Sequence, residues 1–198
     1  MPNNKSVNTT LSLIESDKSK ILGLTIGKHN VVPGQFIRKA GKHKTMSISF
    51  KLYTQWLTNL DAQSPPELAF NVPSPSGTYM VIGLDPDAPF PSFGVLGPIL
   101  HWIQPGLKPE PTDSGLLILK ATVPFVANYI GPAPPPGSAA HRYIFFLYEQ
   151  PAGFDGKKYA PPGGKNLSNW HRMRYDLGAW EKEIKLGPVL AGNYFLSN

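Results

Sequence analysis

The sequence predicts a mainly β protein, an antiparallel β-sandwich with short peripheral helices. Three observations carry this. Proline and glycine number 22 and 19 of 198 residues, roughly a fifth of the chain, which is too many for a helical bundle and suits strands joined by turns. Seven or more short apolar segments recur with turn signals between them. Helical spacing of apolar residues is confined to brief stretches.

In chain order, residues 1–19 are polar and read as a flexible start. Ile21–Ile26 alternates weakly, as a half-buried strand does, and Pro33-Gly34 marks a turn. Thr45–Phe50 reads as a strand. Leu52, Trp56, Leu57 and Leu60 share a helical face, and that helix ends before Pro65-Pro66. Leu68–Val72 is strand-like. Tyr79–Leu84 is the densest apolar run and suits a buried central strand. Ile99–Gln104 and Leu116–Val123 follow as strands, then a proline-rich loop, Ala127–Gly137, then the aromatic strand Tyr143–Glu149. Asn166–Gly178 reads as a short helix, with Asn166 or Ser168 capping its start and Gly178 its end. Leu190–Phe195 is a closing strand.

Composition narrows the function classes. A length of 198 residues fits one domain, 1–198, with a real core. Hydrophobic residues make up 41% and charged residues 16%, the latter well below the usual quarter. With no cysteine, disulfides and thiolate metal sites are excluded. The net charge of +6 and pI of 9.4 favour anionic partners. Lysines cluster only at Lys18–Lys20, Arg38–Lys44 and Lys182–Lys185, without an arginine-rich run, so no nucleic-acid partner is expected. No stretch approaches the ~18 apolar residues of a transmembrane helix. The first residues lack the apolar core of a signal peptide, so the expected location is cytoplasmic. The glycosylation patterns at Asn4, Asn8 and Asn166 then carry little weight.

Two constellations carry chemistry. The first is Asp85-Pro86-Asp87-Ala88-Pro89, at the end of the most apolar strand. Its prolines fix φ and make a turn, and carboxylates at the lip of a core strand are costly unless hydrogen-bonded. Alone, it reads equally as a structural turn whose aspartates accept backbone amides. The second is Gly131–Gly137 followed by His141-Arg142-Tyr143. In extended geometry His141 and Tyr143 share one face, offering a proton switch and a neutral donor. Alone, His141 and His101, beside Trp102, read equally as satisfied core histidines.

Taken together, Asp85–Pro89, Leu100-His101-Trp102, Gly131-Pro132 with Pro136-Gly137, and His141-Arg142-Tyr143 followed by Tyr148-Glu149 resemble the phosphatidylethanolamine-binding protein (PEBP) family in order and spacing. Phe70 resembles the aromatic of the strand before the first motif, and Pro188–Phe195 is similar to the family's closing segment. The resemblance is firmest over 66–150 and loose over 1–65. It implies a β-sandwich with a shallow cavity for phosphate, acetate or similar anions. Asp85, His101, His141 and Tyr143 would line the cavity, Gly131 and Pro136 would form its rim, and Asp87, Pro89 and Trp102 would support it. Protonated histidines and a tyrosine would hold the oxyanion. The resemblance implies no metal, although two histidines and an aspartate are possible zinc ligands, and it implies no cofactor. The loop Phe90–Pro98 lacks the acidic-aromatic lead-in of many members. The chain also ends three residues after Phe195, without the C-terminal helix of animal members, and is more similar to fungal ones.

The implied function is therefore binding of a small anionic ligand or phospholipid head group, with a protein partner in a protease or kinase pathway. The alternative is an enzyme of fungal secondary-metabolite biosynthesis. It would use Asp85, His101, His141 and Tyr143 for acid–base chemistry on a carboxylate or anhydride substrate, with Phe90 and Phe93 as an apolar rim.

Overall fold

The apolar run expected as a central strand forms β5 (Tyr79–Asp85), buried along its whole length. In the computed structural model, which describes residues 5–38 and 61–198, β5 lies between β6 (Ile99–Pro111) and β8 (His141–Glu149), antiparallel to both. The remaining strands are β1 (Gly23–Ile26), β2 (His29–Asn30), β3 (Gln35–Phe36), β4 (Glu67–Ala69), β7 (Leu117–Ala121) and β9 (Ala191–Ser197). The expected strand Thr45–Phe50 and the helix around Leu52–Leu60 lie outside the described residues.

The expectation of a sandwich needs correction. All nine described strands belong to one hydrogen-bonded sheet, in the order β2-β1-β4-β7-β6-β5-β8-β9-β3. The chain just before β1 touches β9 near the other end of the sheet: Leu22 donates its amide to Gly192 O at 2.8 Å, and Ile21 bridges Gly192 in parallel. The buried Asn193 amide donates to Leu22 O and Val31 O, across the same seam. The sheet is thus curled on itself as an open half-barrel. Nor is it wholly antiparallel, because β3 pairs in parallel with β9.

Both faces are covered, which explains why β5 and β8 read as unbroken apolar runs. Tyr79, Val81, Tyr143, Phe145 and Leu147 point into the curl with Leu24, Trp102 and Phe195. The alternate residues Met80, Ile82, Leu84, Ile144, Phe146 and Tyr148 face outward, under two helices. The opening polar stretch supplies the first of these, α1 (Lys5–Ser16), which buries Val7, Thr10 and Ile14 at helical spacing. Gly192 lets α1 approach, since a β-carbon there would lie 2.2 Å from Thr10 Cγ2.

The second helix is displaced from its expected position. Up to Asp176 the stretch holds only a 3-10 turn, Asn169–His171, and the helix proper is α2 (Leu177–Glu183), which begins where the expected helix was to end. Asp176 caps it by accepting the Ala179 amide at 2.9 Å. Gly178 lies in its first turn, not at its end. Leu177, Trp180 and Ile184 bury against the outer core, and that burial fixes the register. No described helix is long and apolar enough to cross a membrane.

Candidate functional site

The site grows from the ends of three adjacent strands. Asp85 closes β5 and is 3% exposed. Its Oδ1 accepts the Asp87 amide at 2.8 Å, an Asx turn that Pro86 pre-shapes. Its Oδ2 accepts from His141 Nδ1, also at 2.8 Å. Because a carboxylate accepts, Nδ1 carries the proton, and Nε2 is the titrating atom. Nε2 lies 2.8 Å from Ser138 Oγ.

Asp87 turns the other way. It takes three hydrogen bonds from Arg142: the backbone amide at 2.8 Å, Nε at 2.9 Å and a terminal nitrogen at 2.6 Å. This fork locks the Asp85–Pro89 turn onto β8. Ala88–Pro89 is a cis peptide within that turn.

His101 enters through an irregularity of the sheet. Gly83 pairs with Trp102 but Leu84 pairs with Leu100, so His101 is the extra residue of a β-bulge. Strict alternation would put His101 and Trp102 on opposite faces. With the bulge, Trp102 joins the inner core while His101 also turns inward, meeting Tyr143 edge-on at 5.0 Å between ring centres. Its Nδ1 donates to Ile130 O at 2.7 Å, leaving Nε2 as the second ring nitrogen. Tyr143 is stacked on Phe195 from β9.

The two histidines are tuned in opposite directions. Burial lowers the His101 pKa below the usual 6.5, and the nearby Arg172 and His141 add to this, against the Ile130 carbonyl and Asp85. For His141, burial also pulls downward, but the hydrogen bond and charge of Asp85, helped by Asp87 and the Pro89 carbonyl, outweigh it and raise the pKa. The two histidines therefore do not act alike: the surroundings of His141 favour its cation and those of His101 its neutral form. Tyr143 is held neutral, its pKa pushed far up by burial and by the Asp85 charge.

The rim residues fall in two places. Gly131 is pressed against the 3-10 turn at 61–63, where a β-carbon would lie 2.7 Å from Ala62 O. Pro136 is exposed and starts a turn in which Ser138 donates its amide to Pro135 O at 3.1 Å. Gly137 has φ of 82° there, the pattern of a type II turn. This turn delivers Ser138 to His141. Trp102 stands edge-on to Tyr129 and with it lines a groove of about 620 Å³. Phe90 and Phe93 are exposed on the loop that folds back against the turn, where a β-carbon on Gly97 would lie 2.8 Å from Pro86 O.

Two residues were missed by sequence reasoning. One is Ser138. The other is Arg172, 1% exposed, whose guanidinium donates to Leu167 O, Leu100 O, Asn128 O and Asn128 Oδ1. Among the described residues its partners are all neutral oxygens, so its charge is not cancelled locally. Burial lowers its pKa but leaves it a cation at neutral pH. Among the described residues no cluster of three or more metal-ligating side chains gathers.

A family model described as phosphatidylethanolamine-binding protein matches residues 28–195. The chain belongs to the phosphatidylethanolamine-binding protein family. Within this PEBP family it is 32% identical, over 67% of its length, to the carboxypeptidase Y inhibitor of Saccharomyces cerevisiae, and the match covers 65% of that protein. It is 36% identical, over 60% of its length, to phomoidride biosynthesis cluster protein N of Talaromyces stipitatus, covering 58% of that protein. These matches span less than two thirds of the relatives' own lengths. A crystal structure of a carboxypeptidase Y inhibitor complexed with its cognate proteinase superposes with a TM-score of 0.66. That superposition covers 98% of this chain and 94% of the other at 24% identity, and at that identity it shows the PEBP fold alone.

Proposed function

We propose that this PEBP-family protein binds a small phosphate- or carboxylate-bearing molecule, or a lipid head group, in a cytoplasmic setting. The site is bounded by Asp85, His101, Gly131, Pro136, His141 and Tyr143, with Asp87, Pro89 and Trp102 in support. The observation that carries this reading is the charge balance. Arg142 cancels Asp87, and a protonated His141 cancels Asp85. The buried Arg172 guanidinium then remains, close enough to His101 to depress its pKa. A buried site with one excess positive charge and a neutral tyrosine donor favours an anion.

A protein partner is part of the same reading, because a relative carries the name of a carboxypeptidase inhibitor. The test of the anion site is calorimetric titration with phosphate and with succinate at about pH 6 and about pH 8. Binding should be tighter at the lower pH. His141→Ala should weaken it by about tenfold or more, given the usual worth of a charge-assisted hydrogen bond. Lys20→Ala should leave it unchanged. Equal binding by wild type and His141→Ala, or none at millimolar ligand, would overturn the assignment.

A further inference from the structure

We infer that Ser138, His141 and Asp85 form a nucleophilic relay, through which Ser138 takes the acyl group of small activated carboxylic esters. The inference shares two residues with the anion-binding reading but does not require that the site hold a free anion.

The geometry is an ordered chain of hydrogen bonds. Asp85, pinned by the Asp87 amide, accepts from His141 Nδ1 at 2.8 Å, and His141 Nε2 stands 2.8 Å from Ser138 Oγ. The carboxylate fixes the tautomer, so neutral His141 presents a lone pair to the serine hydroxyl. These are the three roles of a nucleophile, a base and an orienter of the base, at the distances such roles require. The chain order of the three, Asp85 then Ser138 then His141, carries no weight, because such relays are recognised by geometry.

Ser138 is placed for attack by its own turn. Pro136 and Gly137 bend the chain so that the serine arrives at the lip, half-buried, while His141 and Asp85 lie beneath it. Its hydroxyl has a second acceptor, Ala139 O at 2.9 Å. When His141 is protonated the hydroxyl hydrogen turns to Ala139 O. When His141 is neutral it turns to Nε2, the reactive arrangement.

The step balances without any co-reactant beyond water. Ser138 Oγ bonds to the ester carbonyl carbon as its proton passes to His141 Nε2. The carbon–oxygen bond to the alcohol breaks, and the alcohol leaves with that proton. Water then attacks the acyl-serine with His141 again taking a proton, which returns to Ser138 as the carboxylic acid is released. The exposed apolar side chains Phe90, Phe93, Val95 and Leu96, on the loop packed against the Asp85 turn, favour esters with an apolar or aryl leaving group.

The groups facing His141 set the pH dependence. Asp85 and Asp87 come from the turn, with the Pro89 carbonyl; His101 comes from β6; Arg142 and Tyr143 flank it on β8. Burial works against the proton, but the aspartates and the Pro89 carbonyl together outweigh it, and the acylation rate should rise with pH as His141 loses that proton. Anion binding should fall over the same range, which separates the two activities.

The probe is p-nitrophenyl acetate, with release of p-nitrophenolate followed in time and the acetyl group located by peptide mass spectrometry. Wild type should acquire one acetyl group, on Ser138. Ser138→Ala should acquire none there and lose the burst. Ser138→Cys should regain it as a thioester. Asp85→Asn should slow acylation by at least about tenfold. The two Ser138 variants alter a half-exposed turn residue, so they keep the test decisive if a buried variant fails to fold. Acetyl found only on lysine or tyrosine, or a burst unchanged in Ser138→Ala, would overturn the relay. Phosphate titration of the wild type reads the anion site separately, so either reading can fail without the other.

Discussion

Asp87 accepts three hydrogen bonds from the single residue Arg142, one from its backbone and two from its side chain. The carboxylate is nearly buried, whereas the guanidinium is part-exposed. The pair thereby fastens the functional turn to β8. Asp87→Ala should destabilise the fold by roughly 2 kcal/mol, since it strands a backbone amide as well as an arginine and solvent screens part of the charge. Arg142→Lys should recover less than half of this, because a lysine cannot reproduce the fork. Urea unfolding of the two variants measures both.

The opposed histidines shape the dependence of stability on pH. His141, raised above 6.5, contributes fully below 6.5, and that contribution is lost as pH climbs through its folded value. His101, lowered below 6.5, contributes fully above 6.5, and that contribution is lost as pH falls toward its folded value. Between them they place a stability maximum near 6.5. His141→Gln should flatten the alkaline limb and His101→Gln the acid limb, as read by denaturation midpoints across pH. Matching slopes in wild type and His141→Gln above pH 6.5 would refute the assignment.

The two helices are latched through one carboxylate. Glu181 on α2 accepts from the fully buried Tyr148 hydroxyl at 2.7 Å, and the Ser6 hydroxyl on α1 lies 2.9 Å from both of its oxygens. Tyr148→Phe should cost about 1 kcal/mol. Glu181→Ala should cost more, because it leaves the phenol buried without its acceptor, and amide exchange across α1 should quicken. Slow exchange throughout α1 in Glu181→Ala would contradict the latch.

Gly192→Ala drives a methyl group into Thr10, and the expected loss is roughly 1–3 kcal/mol from overpacking. Thr10→Ala removes the clashing Cγ2, so the double variant should be more stable than Gly192→Ala alone. A double-mutant cycle by thermal unfolding gives the coupling, and zero coupling would mean that α1 is not held at that contact.

β5 and β8 were legible because both faces of the sheet are buried there, which makes their middles, Tyr79–Leu84 and Tyr143–Tyr148, apolar on both faces. The pairing of Asp85 with His141 was not legible from spacing, since 56 residues separate them; the family resemblance put both in one cavity with His101 without pairing them. The inward turn of His101 was hidden because a bulge breaks the alternation on which strand reading depends. α2 was misplaced because Asn166, Ser168 and Asp176 are all acceptable caps, and only burial of Leu177 and Trp180 chooses among them. Arg172 gave no signal, as its oxygens come from Leu100, Asn128 and Leu167, none of which marks itself in sequence.

The seam between Leu22 and Gly192 bears on synthesis at the ribosome. β9 pairs with β8 and β3, receives the Leu22 amide and carries Asn193, yet it is translated after all of them. Until it emerges, the nascent chain displays the edge of β8, with Tyr143, Phe145 and Leu147 on its inner face still open. An apolar strand edge left open in this way is prone to wrong pairing, and the curl closes only when β9 has been added.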